Sequence, residues 1–136
     1  MRRCQERTAR GSFETGRPAR PAAGLHLQRL ARDPLAAAAV AEVVRAHRVT
    51  TRELLSRTRG AASVAAARQI AMYLLHVSLG RPQEDVGRIF RRDPSTVSYA
   101  CHIVEDRRDD PDFEAEIARL EALLSSPEAE ELRHAG

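Results

Sequence analysis

The chain has 136 residues, 43% hydrophobic but only 4% aromatic, with 22 basic against 19 acidic side chains and a net charge of +3. That length suits one small domain with tails; with no Trp and three Phe, its core has to be built from Leu, Ile, Val and Ala. Every basic residue other than histidine is arginine, which excludes Walker-type nucleotide hydrolysis and Schiff-base catalysis, since both need a lysine.

The charge is unevenly spread. Residues 1–35 carry a net +5, residues 36–108 a further +5, and residues 109–136 a net −7. A basic body with an acidic end fits a polyanion bound on one face. Cys4 and Cys101 are too few for a disulfide framework, and a reducing, cytoplasmic setting is expected. No apolar run approaches the roughly 18 residues of a membrane span, and the N-terminus lacks the apolar core of a secretory signal.

In chain order, residues 1–32 read as a disordered tail rich in Arg, Pro and Gly, with Leu25–Leu30 as a short helical or docking segment inside it. Residues 33–124 read as an all-α domain, a compact bundle of about six helices. Asp33-Pro34 pairs an N-cap with a first-turn proline and opens a helix over 34–47, with Ala36, Ala39, Val40, Val43 and Val44 inward. Thr50 and Glu53 form a capping box for a short helix carrying Leu54 and Leu55. A basic loop, 57–62, follows. Ser63 is expected to cap a long helix over 64–79, with Ala67, Ile70, Ala71, Leu74 and Val77 as its apolar stripe and Gly80 at its end.

The next stretch is the most informative. A short helix over 83–90 buries Val86, Ile89 and Phe90, with Glu84 and Asp85 near its positive end. Arg91-Arg92 makes a tight turn. Asp93 and Pro94 then supply an N-cap and a first-position proline for a helix over 94–108, with Val97, Ala100, Cys101 and Val104 inward. This is the layout of a helix-turn-helix with its second helix placed for the DNA major groove. Asp110-Pro111 starts a last helix over 111–124, with Phe113, Ile117, Leu120, Leu123 and Leu124 as a stripe and acids opposite. Residues 125–136 read as a frayed acidic tail.

On the second helix, Ser95, Tyr99 and His102 share the outward face, with Thr96 and Ser98 on its flanks. Hydroxyl, phenol and imidazole groups there can meet base edges or phosphates. Arg57 and Arg59 in the glycine-containing loop can enter a narrow minor groove, and Arg68, Arg88, Arg91 and Arg92 are phosphate candidates. Enzyme chemistry has no matching constellation. The histidines show no metal-ligand spacing, and neighbouring residues Cys101 and His102 cannot face each other on a helix. No catalysis, metal or cofactor is expected.

Leu54-Leu55-Ser56, the Arg57/Arg59 loop, Ser63-Val64-Ala65, Arg68-Gln69-Ile70-Ala71-Met72, Val86-Gly87, Phe90, Arg92-Asp93, Thr96-Val97 and Ala100-Cys101 together resemble the C-terminal DNA-binding domain of the bacterial chromosomal replication initiator DnaA. The resemblance spans residues 34 to 124. It implies an all-α domain whose helix-turn-helix binds duplex DNA at replication origins and some promoters. It further implies that Arg59 is the minor-groove arginine, that Arg68 contacts phosphate, and that Asp93, Ser95 and Thr96 lie in the base-reading turn. The family's turn reads Phe-Gly-Gly-Arg-Asp-His-Thr-Thr, whereas this chain has Phe90-Arg91-Arg92-Asp93-Pro94-Ser95-Thr96. One turn residue is missing, arginine replaces glycine, and Pro94 stands where the family has a base-contacting histidine. An altered target sequence is the expectation. The family's ATPase module has no counterpart, so an ATP-driven origin-melting filament is not expected from this chain alone. The expected function is sequence-specific duplex binding by a transcriptional or replication regulator. The alternative is a protein-interaction module whose helix-turn-helix no longer reads DNA, with the acidic last helix or the N-terminal tail as its contact surface.

Overall fold

The computed structural model describes residues 19–58, 60–127 and 131, with side chains from residue 25 onward. Arg59, Cys4 and most of the N-terminal tail lie outside the described residues. Among those described there are seven α-helices and no strand: α1 (Ala19–Ala31), α2 (Pro34–His47), α3 (Thr51–Leu54), α4 (Ala62–Tyr73), α5 (Gln83–Phe90), α6 (Pro94–Arg107) and α7 (Pro111–Leu124). The chain is an all-α bundle.

Helix α4 is the central element, packed against α6, α2 and α3, while α7 covers α2. The Leu/Ile/Val/Ala character of the core is as the composition requires, with Leu35, Val40, Val43, Leu54, Ile70, Leu74, Leu75, Val86 and Ile117 almost fully enclosed. Phe90, the last residue of α5, has no exposed surface. Burying a side chain of this kind contributes roughly 1.5–3 kcal/mol, so the end of α5 is firmly seated. Val97, Ala100, Cys101 and Val104 are buried along α6, and burial pushes the Cys101 thiol up to about 11. That cysteine is a small hydrophobe with little thiolate at neutral pH.

The caps account for most helix starts. The Ala36 amide donates to Asp33 Oδ1 (3.2 Å), and the Phe113 amide donates to Asp110 Oδ2 (3.2 Å). Thr50 and Glu53 form both halves of a capping box at α3. Asp33 has a second role. Arg81 Nε and an Arg81 terminal nitrogen donate to its two oxygens at 2.6 and 3.0 Å, which ties the loop before α5 to the start of α2. That hydrogen bonding from Arg81 holds the Asp33 carboxyl below its ordinary range.

Four expectations are corrected. Helix α1 covers residues 19–31, so helical structure reaches well into the stretch expected to be a tail. It packs on α5 and α2 and buries Leu30. Ser63 does not cap α4. Ala61 holds the N-cap position without a side-chain bond, and Ser63 lies inside the first turn, because the chain enters the helix directly after Gly60 at φ +74°. The stripe of the long helix does not run to Val77. Past Tyr73 the helix widens into a π turn at Leu74–Ser78, with the Leu79 amide bonding the Leu74 carbonyl at 2.9 Å. The extra residue per turn rotates the register and leaves Val77 exposed. Leu123 is likewise exposed, since α7 buries Phe113, Ile117, Leu120 and Leu124 on a narrower stripe.

Arg108, at the end of α6, holds α7 in place. It donates to Glu114, to Glu121 and to the Tyr73 hydroxyl (2.9 Å), and Arg107 stacks over the Phe113 ring at 3.9 Å.

Asp33→Ala is expected to lose about 1–3 kcal/mol at pH 7, through the lost cap and the lost partner of Arg81. The folded-state pKa of Asp33 is depressed, so its contribution is full above about pH 4 and disappears as pH falls through the folded value. Denaturant titrations at pH 7 and pH 3 check this: the gap between wild type and variant should shrink at the lower pH.

Candidate nucleic-acid interface

The turn between α5 and α6 is built on Gly87. A Cβ placed on this glycine would lie 2.5 Å from the Arg92 carbonyl oxygen, so only glycine lets the turn fold this close to α5. The Arg91 and Arg92 amides both donate to the Gly87 carbonyl, the second at 2.9 Å, a Schellman-type ending that satisfies that orphan carbonyl. Arg91 itself adopts the left-handed conformation, φ 59°, where a side chain costs roughly 1–2 kcal/mol relative to the right-handed one. Two residues later Asp93 caps the start of α6. The Ser95 amide and hydroxyl both donate to Asp93 Oδ1, at 2.9 and 2.7 Å, and these bonds hold the Asp93 carboxyl below its ordinary range. Pro94 sits half-buried in the first turn of α6. Ser95, Thr96, Tyr99 and His102 are exposed on the helix, with Tyr99 at 62%.

Beside this face lies the basic loop that precedes α4. Ser56 and Thr58 close it on itself: the Thr58 amide donates to the Ser56 hydroxyl at 3.1 Å, and the two hydroxyls are 2.9 Å apart. Two arginines fasten it from opposite sides. Arg68, on α4, is only 4% exposed and donates to the carbonyls of Leu54 (2.8 Å), Glu53 (2.9 Å) and Thr58 (3.4 Å). Arg92 donates to the Phe90 carbonyl at 2.9 Å and reaches the same Thr58 carbonyl at 3.4 Å. The loop is thereby pinned to the helix-turn-helix. Arg68, expected to present its guanidinium to phosphate, is mostly committed to backbone carbonyls.

The result is a groove of about 370 Å³ between loop, α4 and α6, lined among others by Arg57, Gln69, Arg92, Thr96 and Tyr99. Its positive charge is concentrated. Burial, Arg57 and Arg91 together disfavour the charged form of Arg92, and burial and Arg92 do the same for Arg68. Guanidinium groups stay ionised regardless, so the crowding is mutual repulsion that an anion would relieve.

Of the candidates read from sequence, Arg57, Arg92, Thr96 and Tyr99 converge on this groove, and Arg68 forms part of its wall. Arg91 and Pro94 line a neighbouring cleft. Asp93 and Ser95 are bound to each other at the head of α6, and His102 lies exposed further along the same helix. Three residues were not singled out from the sequence. Gln69 faces the groove, and its only signal was its place in the Arg68-Gln69 pair. His26 and Arg29 come from α1 to the side of the turn, some 60 residues away along the chain. The helical reading of Leu25–Leu30 was the only hint of them.

Two comparisons bear on this geometry. The model of the family described as bacterial dnaA protein helix-turn-helix matches residues 37–104, half of the chain, from within α2 to within α6. Among curated proteins, the chain is similar to the chromosomal replication initiator protein DnaA of Deinococcus radiodurans, 33% identical over 89 residues and covering 65% of this chain. It is also similar to that of Sphingopyxis alaskensis, 38% identical over 89 residues and covering 64% of this chain. The match spans only 19% and 20% of those proteins' own lengths. Across the elements that build the groove, from the basic loop to the capped second helix, the chain belongs to the bacterial DnaA helix-turn-helix family.

Proposed function

We propose that this chain binds duplex DNA in a sequence-specific way and acts as a transcriptional or replication regulator without ATP hydrolysis. One observation carries the reading: Arg57 and Arg92 share a groove with the exposed first turns of α6, the surface a helix-turn-helix turns toward DNA. Arg57, Arg59, Arg91 and Arg92 supply phosphate or groove contacts. Thr96 and Tyr99 lie where base edges would come, with Ser95 beside them and His102 further along. Asp93 acts mainly as the cap that aims this turn, and Arg68 holds the loop that carries Arg57. The lack of lysine argues against nucleotide hydrolysis in this chain.

Two further features bear on this reading. Among the described residues no helix is long and apolar enough to cross a membrane, and the proposed setting is the bacterial cytoplasm. The acidic last helix offers a protein partner less than its composition suggests, because Glu114 and Glu121 are engaged by Arg108 and Glu116 lies 2.7 Å from His47.

Selection of bound duplexes from a random pool at two salt concentrations tests the proposal. A defined sequence should emerge, and log affinity should fall linearly with log salt. Failure to enrich any duplex, or binding indifferent to salt, would overturn it. Arg57→Ala should reduce the salt slope by about 1. Arg92→Ala should weaken binding further, because it also releases the loop. Pro94→His restores a polar side chain at the family's base-contacting position. It should change the selected base at one position, with discrimination there of about 1–3 kcal/mol. Gly87→Ala, which forces Cβ against a backbone carbonyl, should cost about 1–3 kcal/mol of stability, even though alanine is the better helix former. A thermal melt reads that loss directly, and a rise in Tm would refute the close approach.

A further inference from the structure

Resting on the DNA-binding reading, we infer that α1 and the helix-turn-helix turn together form a second phosphate site, in which Arg29 and Arg91 hold a DNA backbone phosphate outside the groove of the recognition helix.

The site starts from an unmet need at the end of α5. The last carbonyls of a helix have no partner within it. The Arg92 amide, which could have bonded the Arg88 carbonyl, instead goes to Gly87. Helix α1 supplies the replacement. His26 Nδ1 lies 3.1 Å from the Arg88 carbonyl oxygen, and Arg29 makes a longer 3.5 Å contact to it. A carbonyl only accepts, so the bond requires the proton on Nδ1. Together with the buried Leu30, this fixes α1 against α5.

That docking sets Arg29 across from the turn. Between them is a cleft of about 610 Å³, lined by arginines from four places in the chain: Arg29 on α1, Arg57 in the basic loop, Arg88 on α5, and Arg91 and Arg92 in the turn. Among the described residues, Glu84 is the one carboxylate on its wall. Arg88 is paired with Asp85 at 2.8 Å, which leaves Arg29, Arg57, Arg91 and Arg92 as the main source of positive field. Arg91 also carries an unmet donor. Its Nε is buried and has no hydrogen-bond partner among the described residues. Burial lowers the His26 pKa, and Arg91, Arg29 and Arg57 add to this against the opposing bond to Arg88. His26, held toward its neutral form by that burial, is a positioning residue, and the arginines carry the charge.

The occupant follows from continuity. Arg57 and Arg92 line both this cleft and the groove beside Thr96 and Tyr99. One basic track therefore runs from the recognition helix to α1, and a strand whose bases lie in the first meets the second with its backbone. Phosphate contacts fix register without reading sequence, so this site adds affinity, not specificity.

The test uses the full chain and a duplex obtained by selection, with dissociation constants measured across a salt series for wild type, Arg29→Gln and Arg29→Lys. Arg29→Gln should lower the salt slope by about 1. It should also weaken the selected duplex and a shuffled one by the same factor, about three- to tenfold at 0.1 M salt. Arg29→Lys, which keeps the charge, should keep the slope. A wild-type slope in Arg29→Gln overturns the second site and leaves the proposed function standing. Loss of slope in both variants assigns Arg29 a structural role and also overturns it. If wild type binds no duplex at all, both readings fall.

Discussion

The contact on which the interface depends is the one between Gly87 and the Arg92 carbonyl. It brings the chain back over the last turn of α5 within a distance no Cβ would tolerate. The two amides donated to the Gly87 carbonyl hold the turn there. Phe90, fully buried one turn later, fixes the end of α5 in the core. With these in place Asp93 caps the start of α6, accepting from the Ser95 amide. Every candidate contact on α6 inherits its position from that turn.

The same turn organises the positive charge. Arg92 reaches across to the Thr58 carbonyl, where Arg68 arrives from the other side. Thr58 in the basic loop is therefore tied to both α4 and the turn by two guanidinium groups bonded to one backbone oxygen. Burial first, and then the nearby Arg57 and Arg91, disfavour the charge on Arg92, and its bonds to the Phe90 and Thr58 carbonyls offset part of that cost. Clustered like charge in a free protein is a reservoir that a polyanion releases on binding.

Replacement of glycine by arginine in the turn illustrates how two constraints are reconciled. Left-handed backbone favours glycine, yet Arg91 stands there at φ 59°. The cost is of order 1–2 kcal/mol, and it puts one more guanidinium beside the groove. Pro94 makes the opposite exchange. It improves the start of α6 by fixing its first φ angle, while offering no polar group where the family has a histidine.

Much of this was legible in the residues themselves. Local signals were reliable wherever they closed on themselves within a few residues: the Asp-Pro caps at 33, 93 and 110, the Thr50–Glu53 box, and the inward faces of α2, α5 and α6. The absence of lysine and the drift of charge along the chain narrowed function before any fold was known. Three kinds of fact were not legible, because they depend on groups distant in sequence. The π turn at Leu74–Ser78 interrupts the helical periodicity, so a stripe read at constant spacing places Val77 inward where the structure exposes it. Arg68 carries the same charge whether it faces solvent or a row of carbonyls, and only its surroundings give it the second role. The partnership of α1 with α5, which sets His26 and Arg29 beside the turn, joins an orphan carbonyl to a helix 59 and 62 residues away. The sequence by itself determined helices α2, α3, α5, α6 and α7, the side-chain caps of α2, α3, α6 and α7, and the chemistry available. Which arginines stand together, and which are committed to holding the backbone, was decided only by tertiary structure, because hydrogen-bond partners and burial are properties of the assembled core.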